Sequence, residues 1–387
     1  MSVPASLPDI RNQRFCVVTH VYGTGPAFEL ETYLQEKVER LLVIGHPFSF
    51  AEDRRSFLRL YVHGKLVASA RGPRWAGPDI GFYLKDIVLT FWWVFRHGPF
   101  GVYVGVGALN AWTGVFLKWL RKTRHLVFYA IDYVPQRFPG RMMNMLYHHM
   151  ERFSVRHSDA VWNLSPAMIA AREGPDASAT EEKQVIVPIG TRSESDGLVP
   201  PPVDRHQIVY FGHLRPGQGV ERVLAVMPDV IAQVPQAHLL IIGGGPLEQP
   251  LRGEIERLHL EDRVQITGFL KNVQEAYRLL RASAVAVAPY ADVPENFTRY
   301  TDPGKIKDYL ASGLPVVITN VPRVAEEISA RGCGIAVQDT PEALAGALVR
   351  LLKDDRLWQS CREHAAQMAQ DYTWDRVFSR ALSRTLL

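Results

Sequence analysis

The stretch Asp302-Pro303-Gly304-Lys305-Ile306-Lys307-Asp308-Tyr309-Leu310-Ala311-Ser312-Gly313-Leu314-Pro315-Val316-Val317 decides how this chain reads. Thr301 or Asp302 suits a helix cap, Pro303 its first position, and Gly313 with Pro315 stops the helix before the apolar run Val316-Val317-Ile318. A helix leading into a buried strand follows. Lys305 falls in the first turn, where the helix dipole disfavours a cation by about 0.3–1 kcal/mol unless an anion shares that turn. On the helix alone two readings stay open. Lys305 faces a phosphate, or it forms an exposed pair with Asp308 one turn on, worth about 0.2–0.5 kcal/mol.

Outward from this helix, strands alternate with helices along the whole chain, the pattern of parallel sheets covered on both faces. Strands are expected over residues 14–20, 41–45, 102–106, 126–131, 160–164 and 184–188, with a hairpin over 56–71 turning at His63-Gly64. The segment 193–205, with Pro200-Pro201-Pro202 inside it, breaks the periodicity. A chain of 387 residues, 47% hydrophobic and 22% charged, suits two soluble globular domains. The expected division is a first domain over 1–195, a linker over 196–206, a second domain over 207–370 and a C-terminal helix over 371–387.

Cys16, Cys333 and Cys361 stand far apart, without CxxC spacing, and no signal peptide precedes the first strand, so a reducing cytoplasm is expected. The net charge of +4 concentrates between residues 71 and 156, with 12 Lys or Arg against 4 Asp or Glu. Aromatic residues interleave with them. Within this region residues 109–122, from Leu109 to Trp119-Leu120-Arg121-Lys122, have the composition of a membrane-surface helix, too short and too polar to span. The alternative is that the aromatics fill the core. No recognition-helix, RNA-binding or zinc-finger signature accompanies the basic surface, so nucleic acid is not an expected partner. His148 and His149 are adjacent on a helix and point apart, which argues against a metal site.

Four further blocks extend the first. They are Tyr210-Phe211-Gly212-His213-Leu214-Arg215-Pro216-Gly217-Gln218-Gly219, Leu239-Leu240-Ile241-Ile242-Gly243-Gly244-Gly245, Val264-Gln265-Ile266-Thr267-Gly268-Phe269 and Ala284-Val285-Ala286-Val287-Ala288-Pro289-Tyr290. In this order, over roughly residues 185–385, they resemble the nucleotide domain of GT-B glycosyltransferases. The pattern is similar to the group 1, retaining-type enzymes and to the subset resembling the xanthan glucuronosyltransferase. The resemblance implies an α/β fold of two doubly wound Rossmann-like domains facing a central cleft, with residues 371–387 crossing back to the first. It also implies transfer of a sugar from a nucleotide diphosphate sugar, with UDP as the expected nucleotide, to a polyprenyl-diphosphate-linked saccharide at the inner face of the cell membrane, in surface polysaccharide assembly, with no metal or other cofactor. A GT-B epimerase of UDP-sugars and a non-catalytic GT-B partner are the alternatives.

The implied donor residues are His213, Arg215, Gly243, Phe269, Glu295, Tyr300, Thr301, Lys305 and Asp308. Lys305, Arg215 and the amides near Thr301 would neutralise the leaving diphosphate, Asp308 would bind ribose hydroxyls, and Glu295 or Tyr300 the donor sugar. His213 and Gln218 stand where many retaining relatives carry Arg and Lys. On the acceptor side, Asp132 ends an apolar strand, either as a turn residue or, as the resemblance implies, as the base. His20 ends the first strand, and Gly23 and Gly25 would let backbone amides approach a ligand.

Overall fold

The computed structural model describes residues 9–21, 25–48, 50–75, 77, 79–173, 181–192, 201–293 and 296–386. The chain forms two compact units, Met1–Pro188 with Trp374–Leu387, and Ile189–Thr373. It enters the second unit ahead of the boundary read from the sequence, because Ile189 and Thr191 are already tied there. The Ile189 N–H donates to Asp302 Oδ2 at 2.8 Å and the Thr191 N–H to the Tyr372 carbonyl at 2.7 Å. Residues 193–200, which include most of the segment that breaks periodicity, lie outside the described residues.

The first unit runs β1 (Arg14–Val21), α1 (Pro26–Gln35), β2 (Arg40–Pro47), β3 (Phe57–Val62), β4 (Lys65–Arg71), α2 (Asp79–His97), β5 (Phe100–Val106) and α3 (Ala108–Trp119). It continues with β6 (Thr123–Ala130), α4 (Arg141–His157), β7 (Ala160–Asn163), α5 (Pro166–Glu173) and β8 (Gln184–Ile186). Its sheet has the order β4-β3-β2-β1-β5-β6-β7-β8. The β2/β3 and β3/β4 pairs are antiparallel and the others parallel. The last helix of the chain, Trp374–Leu386, belongs to this unit. Its Thr385 Oγ1 accepts from Trp162 Nε1 at 2.9 Å and its Ser379 hydroxyl meets Tyr33 at 2.9 Å.

Residues 109–122, expected on a membrane surface, are largely core. Ala111, Thr113, Gly114, Val115 and Leu117 of α3 are buried, and only the end of the segment, Trp119 and Leu120 with Arg121, is exposed. The reason is steric. A Cβ at Gly114 would lie 2.5 Å from Leu126 and 2.6 Å from the Tyr103 ring, so this helix is pressed onto the sheet. Exposed apolar residues sit on α4, with Met142, Met145 and Leu146, and on α2, where Leu84, Val88, Trp92 and Phe95 are spaced to share one helix face.

The second unit runs β9 (Gln207–Phe211), α6 (Val220–Gln233), β10 (His238–Ile242), α7 (Glu248–Arg257), β11 (Val264–Ile266), α8 (Val273–Ala282) and β12 (Val285–Ala288). Then come α9 (Gly304–Ala311), β13 (Val316–Thr319), α10 (Val324–Ala330), β14 (Gly334–Val337), α11 (Pro341–Lys353) and α12 (Asp355–Asp371), before the terminal helix α13 described above. All strands are parallel in the order β11-β10-β9-β12-β13-β14. Alternate residues serve alternate faces. Ile208, Leu239, Ile241, Val285 and Val287 join one core cluster, while Val209, Leu240, Ile242, Ala286 and Ala288 join the other.

Strand order reverses between β9 and β12, which pair only through Ile208–Val285 and Val209–Ala286 before they part. Tyr309 fills the gap. Its buried hydroxyl accepts from the Phe211 N–H at 2.8 Å and lies 3.2 Å from the Val287 carbonyl, to which it donates. Tyr309→Phe leaves that amide without a partner and is expected to cost about 1–3 kcal/mol. Urea unfolding should show a lower midpoint at unchanged slope.

Candidate functional site

Ligands of open α/β sheets bind beyond the carboxyl ends of the strands where strand order reverses. In the second unit that place is the end of β9, the loop over 212–219 and the start of α9. Gly219 and Gly243 are glycines by necessity. Both have positive φ, and a Cβ would strike the Pro289 carbonyl oxygen at 1.6 Å in the first case and that of Gly212 at 1.9 Å in the second. Helix α9 starts one residue later than the sequence suggests, with Pro303 as its cap residue and no side-chain cap hydrogen bond. Asp302, expected as a cap, is buried and pairs with Lys307. Burial pushes the Asp302 carboxyl up, and Lys307 and the Ile189 amide pull against it.

Lys305 does not pair with Asp308. Its Nζ donates to the Tyr210 hydroxyl at 3.1 Å and to Gln218 Oε1 at 3.0 Å, and lies over the rings of Tyr210 and Tyr290 at 4.4 and 5.1 Å. No carboxylate among the described residues forms an ion pair with it. Burial, and then the neighbouring Arg215, push its ammonium down to about 7. The Arg215 guanidinium stacks on Phe297 at 4.7 Å, and its buried Nε makes no hydrogen bond. Asn296 anchors the loop by donating to the carbonyls of Gly217 and Ala291 at 2.9 and 2.8 Å. Two cations thus share an enclosure with phenols and amides. Such an arrangement is one that an anion would stabilise.

The other expected donor residues are placed less centrally. Asp308 Oδ1 accepts from the Tyr277 hydroxyl at 2.7 Å. His213 is exposed, the Phe269 side chain is 78% exposed, and Tyr300 and Thr301 are half-buried just before α9. Glu295 lies outside the described residues, as does Gly23. Tyr210, Gln218 and Tyr290 are the members that sequence reasoning passed over as site residues. All three stood inside the quoted motifs, but an aromatic at a strand end reads as core, and Gln218 drew notice only as a residue standing where many relatives carry a cation.

In the first unit strand order turns about β1 and β5. His20 there is held at both ring nitrogens, Nε2 at 3.3 Å from Asp86 Oδ2 and Nδ1 at 3.1 Å from Asn110 Nδ2. Buried Asp86 also meets Lys85 and His46. Burial by itself raises the Asp86 carboxyl, but the two histidines offset it and hold the group well below the usual carboxylate range. His20 is therefore a positioned member of a polar network and not a ring with a free nitrogen. Gly25 has extended backbone, and a Cβ there would meet nothing within 4 Å, so the fold itself does not require glycine at this position. Asp132, two residues past β6, has a half-exposed carboxylate in a 2.6 Å ion pair with Arg137, which also donates to its carbonyl at 3.0 Å.

Residues 205–354 match the family model described as glycosyl transferases group 1. The D-inositol 3-phosphate glycosyltransferase of Jonesia denitrificans is 28% identical over 204 residues, 47% of this chain and 47% of that protein. The phosphatidyl-myo-inositol mannosyltransferase of Mycolicibacterium smegmatis is 23% identical over 234 residues, 58% of this chain and 57% of that protein. The chain spans about half the length of the curated relatives it matches. Solved structures match along nearly the whole chain. Sucrose-phosphate synthase from Thermosynechococcus elongatus superposes with a TM-score of 0.67 at 17% identity, covering 95% of this chain and 96% of that one. Anabaena HepE in complex with UDP gives 0.67 at 14%, with 96% and 99% covered. WaaG, a glycosyltransferase involved in lipopolysaccharide biosynthesis, gives 0.64 at 15%, with 96% and 99% covered.

The depressed Lys305 ammonium sets a pH dependence. A bound anion restores the proton, so binding above pH 7 takes up a proton and affinity falls with rising pH, by up to about tenfold per unit. Sulfate, whose charge is constant over this range, is the probe. Calorimetry from pH 6 to 9 should show a level affinity below 7 and a decline above it that Lys305→Arg abolishes. A pH-independent wild-type affinity contradicts the assignment.

Proposed function

We propose, for a chain that has the GT-B fold and carries a group 1 glycosyltransferase domain over residues 205–354, that it transfers a sugar from a nucleotide diphosphate sugar to a lipid-linked saccharide. The observation that carries this reading is the enclosed Lys305 beside Arg215 without a carboxylate partner among the described residues. A departing diphosphate is the anion that such a pair neutralises, and the stabilisation grows as charge develops on the leaving group. UDP is the proposed nucleotide, supported by its presence in the HepE structures. A lipid-linked acceptor in surface polysaccharide assembly is supported by the phosphatidyl-myo-inositol and lipopolysaccharide named for two of the similar proteins.

The proposed chemistry is a single displacement. The acceptor hydroxyl attacks the anomeric carbon, the bond from that carbon to the diphosphate oxygen breaks, and a carboxylate takes the hydroxyl proton. Asp132 is the proposed base, since its carboxylate is reachable, whereas Asp86 is buried and shared. In this reading Asp308 meets the ribose, and Tyr300, Thr301 and Glu295 surround the donor sugar. No metal is required, because Lys305 and Arg215 supply the charge.

Peripheral attachment to an anionic membrane on the cytoplasmic side completes the reading. No described helix is long and apolar enough to cross a membrane. The exposed α2 stripe of Leu84, Val88, Trp92 and Phe95 supplies the apolar face, and Lys122 stands over the Phe95 ring at 4.4 Å.

Lys305→Ala is expected to weaken UDP binding by about 1.5–3 kcal/mol, the worth of a charge-assisted contact, with little change in the melting point of the free protein. Unchanged UDP affinity in calorimetry would end the donor assignment. Asp132→Asn is expected to lower turnover by about 10²–10⁴ while UDP binding persists. A product with retained anomeric configuration would instead remove Asp132 as base of an inverting transfer.

Wild-type protein is expected to cosediment with anionic vesicles at low salt and to be released by high salt, since each cation near the surface contributes about 1 kcal/mol. Val88→Glu with Trp92→Glu should abolish binding. Failure of the wild type to cosediment removes the membrane reading.

A further inference from the structure

A cavity of about 250 Å³ in the first unit, with charged side chains in its walls, takes no part in the chemistry above. Tyr133, Pro135, His148, Glu151, Arg152 and Arg172 wall it. The Arg172 side chain is 1% exposed. Its Nη2 donates to Asn163 Oδ1, but Nε and Nη1 make no hydrogen bond among the described residues. Nη1 stands 3.7 Å from Glu151 Oε1, close enough for attraction and too far for a hydrogen bond. A guanidinium buried with two idle N–H groups is a costly arrangement that a purely structural ion pair does not explain. Glu151 is an imperfect partner in a second respect. Burial pushes its carboxyl up to about 7 against the pull of Arg172, so near neutrality it is often uncharged.

The charge in these walls is unbalanced. Arg172 and Arg152 face one carboxylate that is partly protonated, and His148 adds an imidazole whose Nε2 lies 2.8 Å from the Pro135 carbonyl. The cavity is also joined to the proposed base. Tyr147, one turn before Glu151, pulls that carboxyl down, Arg137 lies over the Tyr147 ring at 5.3 Å, and Arg137 pairs with Asp132. We propose that this cavity is a subsite for one oxyanion, a carboxylate or phosphate, of the acceptor. The volume lies below the roughly 300–1,000 Å³ of pockets that enclose drug-sized ligands, so it holds a single group. That the group belongs to an acceptor rests on the glycosyltransferase reading; that the cavity binds an oxyanion does not. An acidic sugar and the phosphate of a lipid linkage are the two sources.

The test is calorimetry at pH 8 with inorganic phosphate and, separately, D-glucuronate, on the full chain carrying Lys305→Ala so that the second-unit anion site is disabled. One of the two anions is expected to bind, and the preferred one identifies the source. Glu151→Gln keeps the shape and removes the competing carboxylate, so it should tighten binding by about tenfold at pH 8 and less at pH 6. Arg152→Ala, at an exposed position, should weaken it and serves as the control if Glu151→Gln fails to fold. Binding of neither anion, or binding indifferent to both Glu151→Gln and Arg152→Ala, overturns the proposal. UDP titrated into wild type is read separately. Loss of UDP binding there removes the donor reading and leaves the oxyanion subsite standing or falling on its own arm.

Discussion

The Tyr309 hydroxyl, wedged between β9 and β12, is the contact on which the second unit's binding region depends. Two parallel strands that part after two residue pairs expose amides and carbonyls at the point where they separate, and buried backbone groups need partners. One phenol answers on both sides, bonding the Phe211 amide and the Val287 carbonyl. It also sets the phase of α9. Lys305 and Tyr309 are four residues apart and so lie on one face, and fixing the phenol between the strands aims the ammonium at Tyr210 at the end of β9. The opening between the strands and the cation beside it have a common cause.

Lys307, two residues on, points to the opposite side of the same helix and shows what a satisfied buried lysine looks like here. It meets the buried carboxylate of Asp302 and covers the Tyr372 ring at 4.7 Å. Asp302 in turn receives the Ile189 amide, so this pair fastens the point at which the chain enters the second unit. Lys305 has a phenol and an amide where Lys307 has a carboxylate. Desolvating it beside Arg215 costs stability in the free protein, and an anion returns that cost on binding. The contrast separates, within a single turn, a lysine serving the fold from one that the proposed function assigns to the leaving diphosphate.

The order of strands and the helix over 304–311 were legible because apolar runs, glycine turns and proline stops are local signals. Faces were less so. Residues 109–122 and α2 are both apolar and aromatic with basic ends, and composition alone ranked the first as the surface helix. The close approach of Gly114 to Tyr103 and Leu126 buries it, and the exposed stripe falls to α2. Such contacts join residues distant in sequence. The same blindness hid the partners of Lys305: Asp302 and Asp308 are the carboxylates three residues to either side of it, while Tyr210 and Gln218 arrive from another strand and loop. Asp302 suited a cap by position and became a buried partner by tertiary packing.

Three acidic groups of the first unit, Asp86, Glu151 and Asp132, stand in three different surroundings. Asp86, surrounded by His20, His46 and Lys85, is held ionised and spent on positioning, and its acidity makes it a poor proton acceptor. Glu151, raised by burial to about 7, has an affinity for protons near the optimum for general acid–base work at neutral pH, but it is 3% exposed against a cavity wall. Asp132 is the reachable one, and Arg137 both pairs with its carboxylate and bonds its carbonyl, fixing a residue that has already left the strand. A base of modest strength suffices when the leaving group is stabilised elsewhere, because the acceptor hydroxyl needs to lose its proton only as the new bond forms. In the proposed reaction Lys305 and Arg215 would meet the charge of the leaving group, and Asp132 would take the proton of the acceptor.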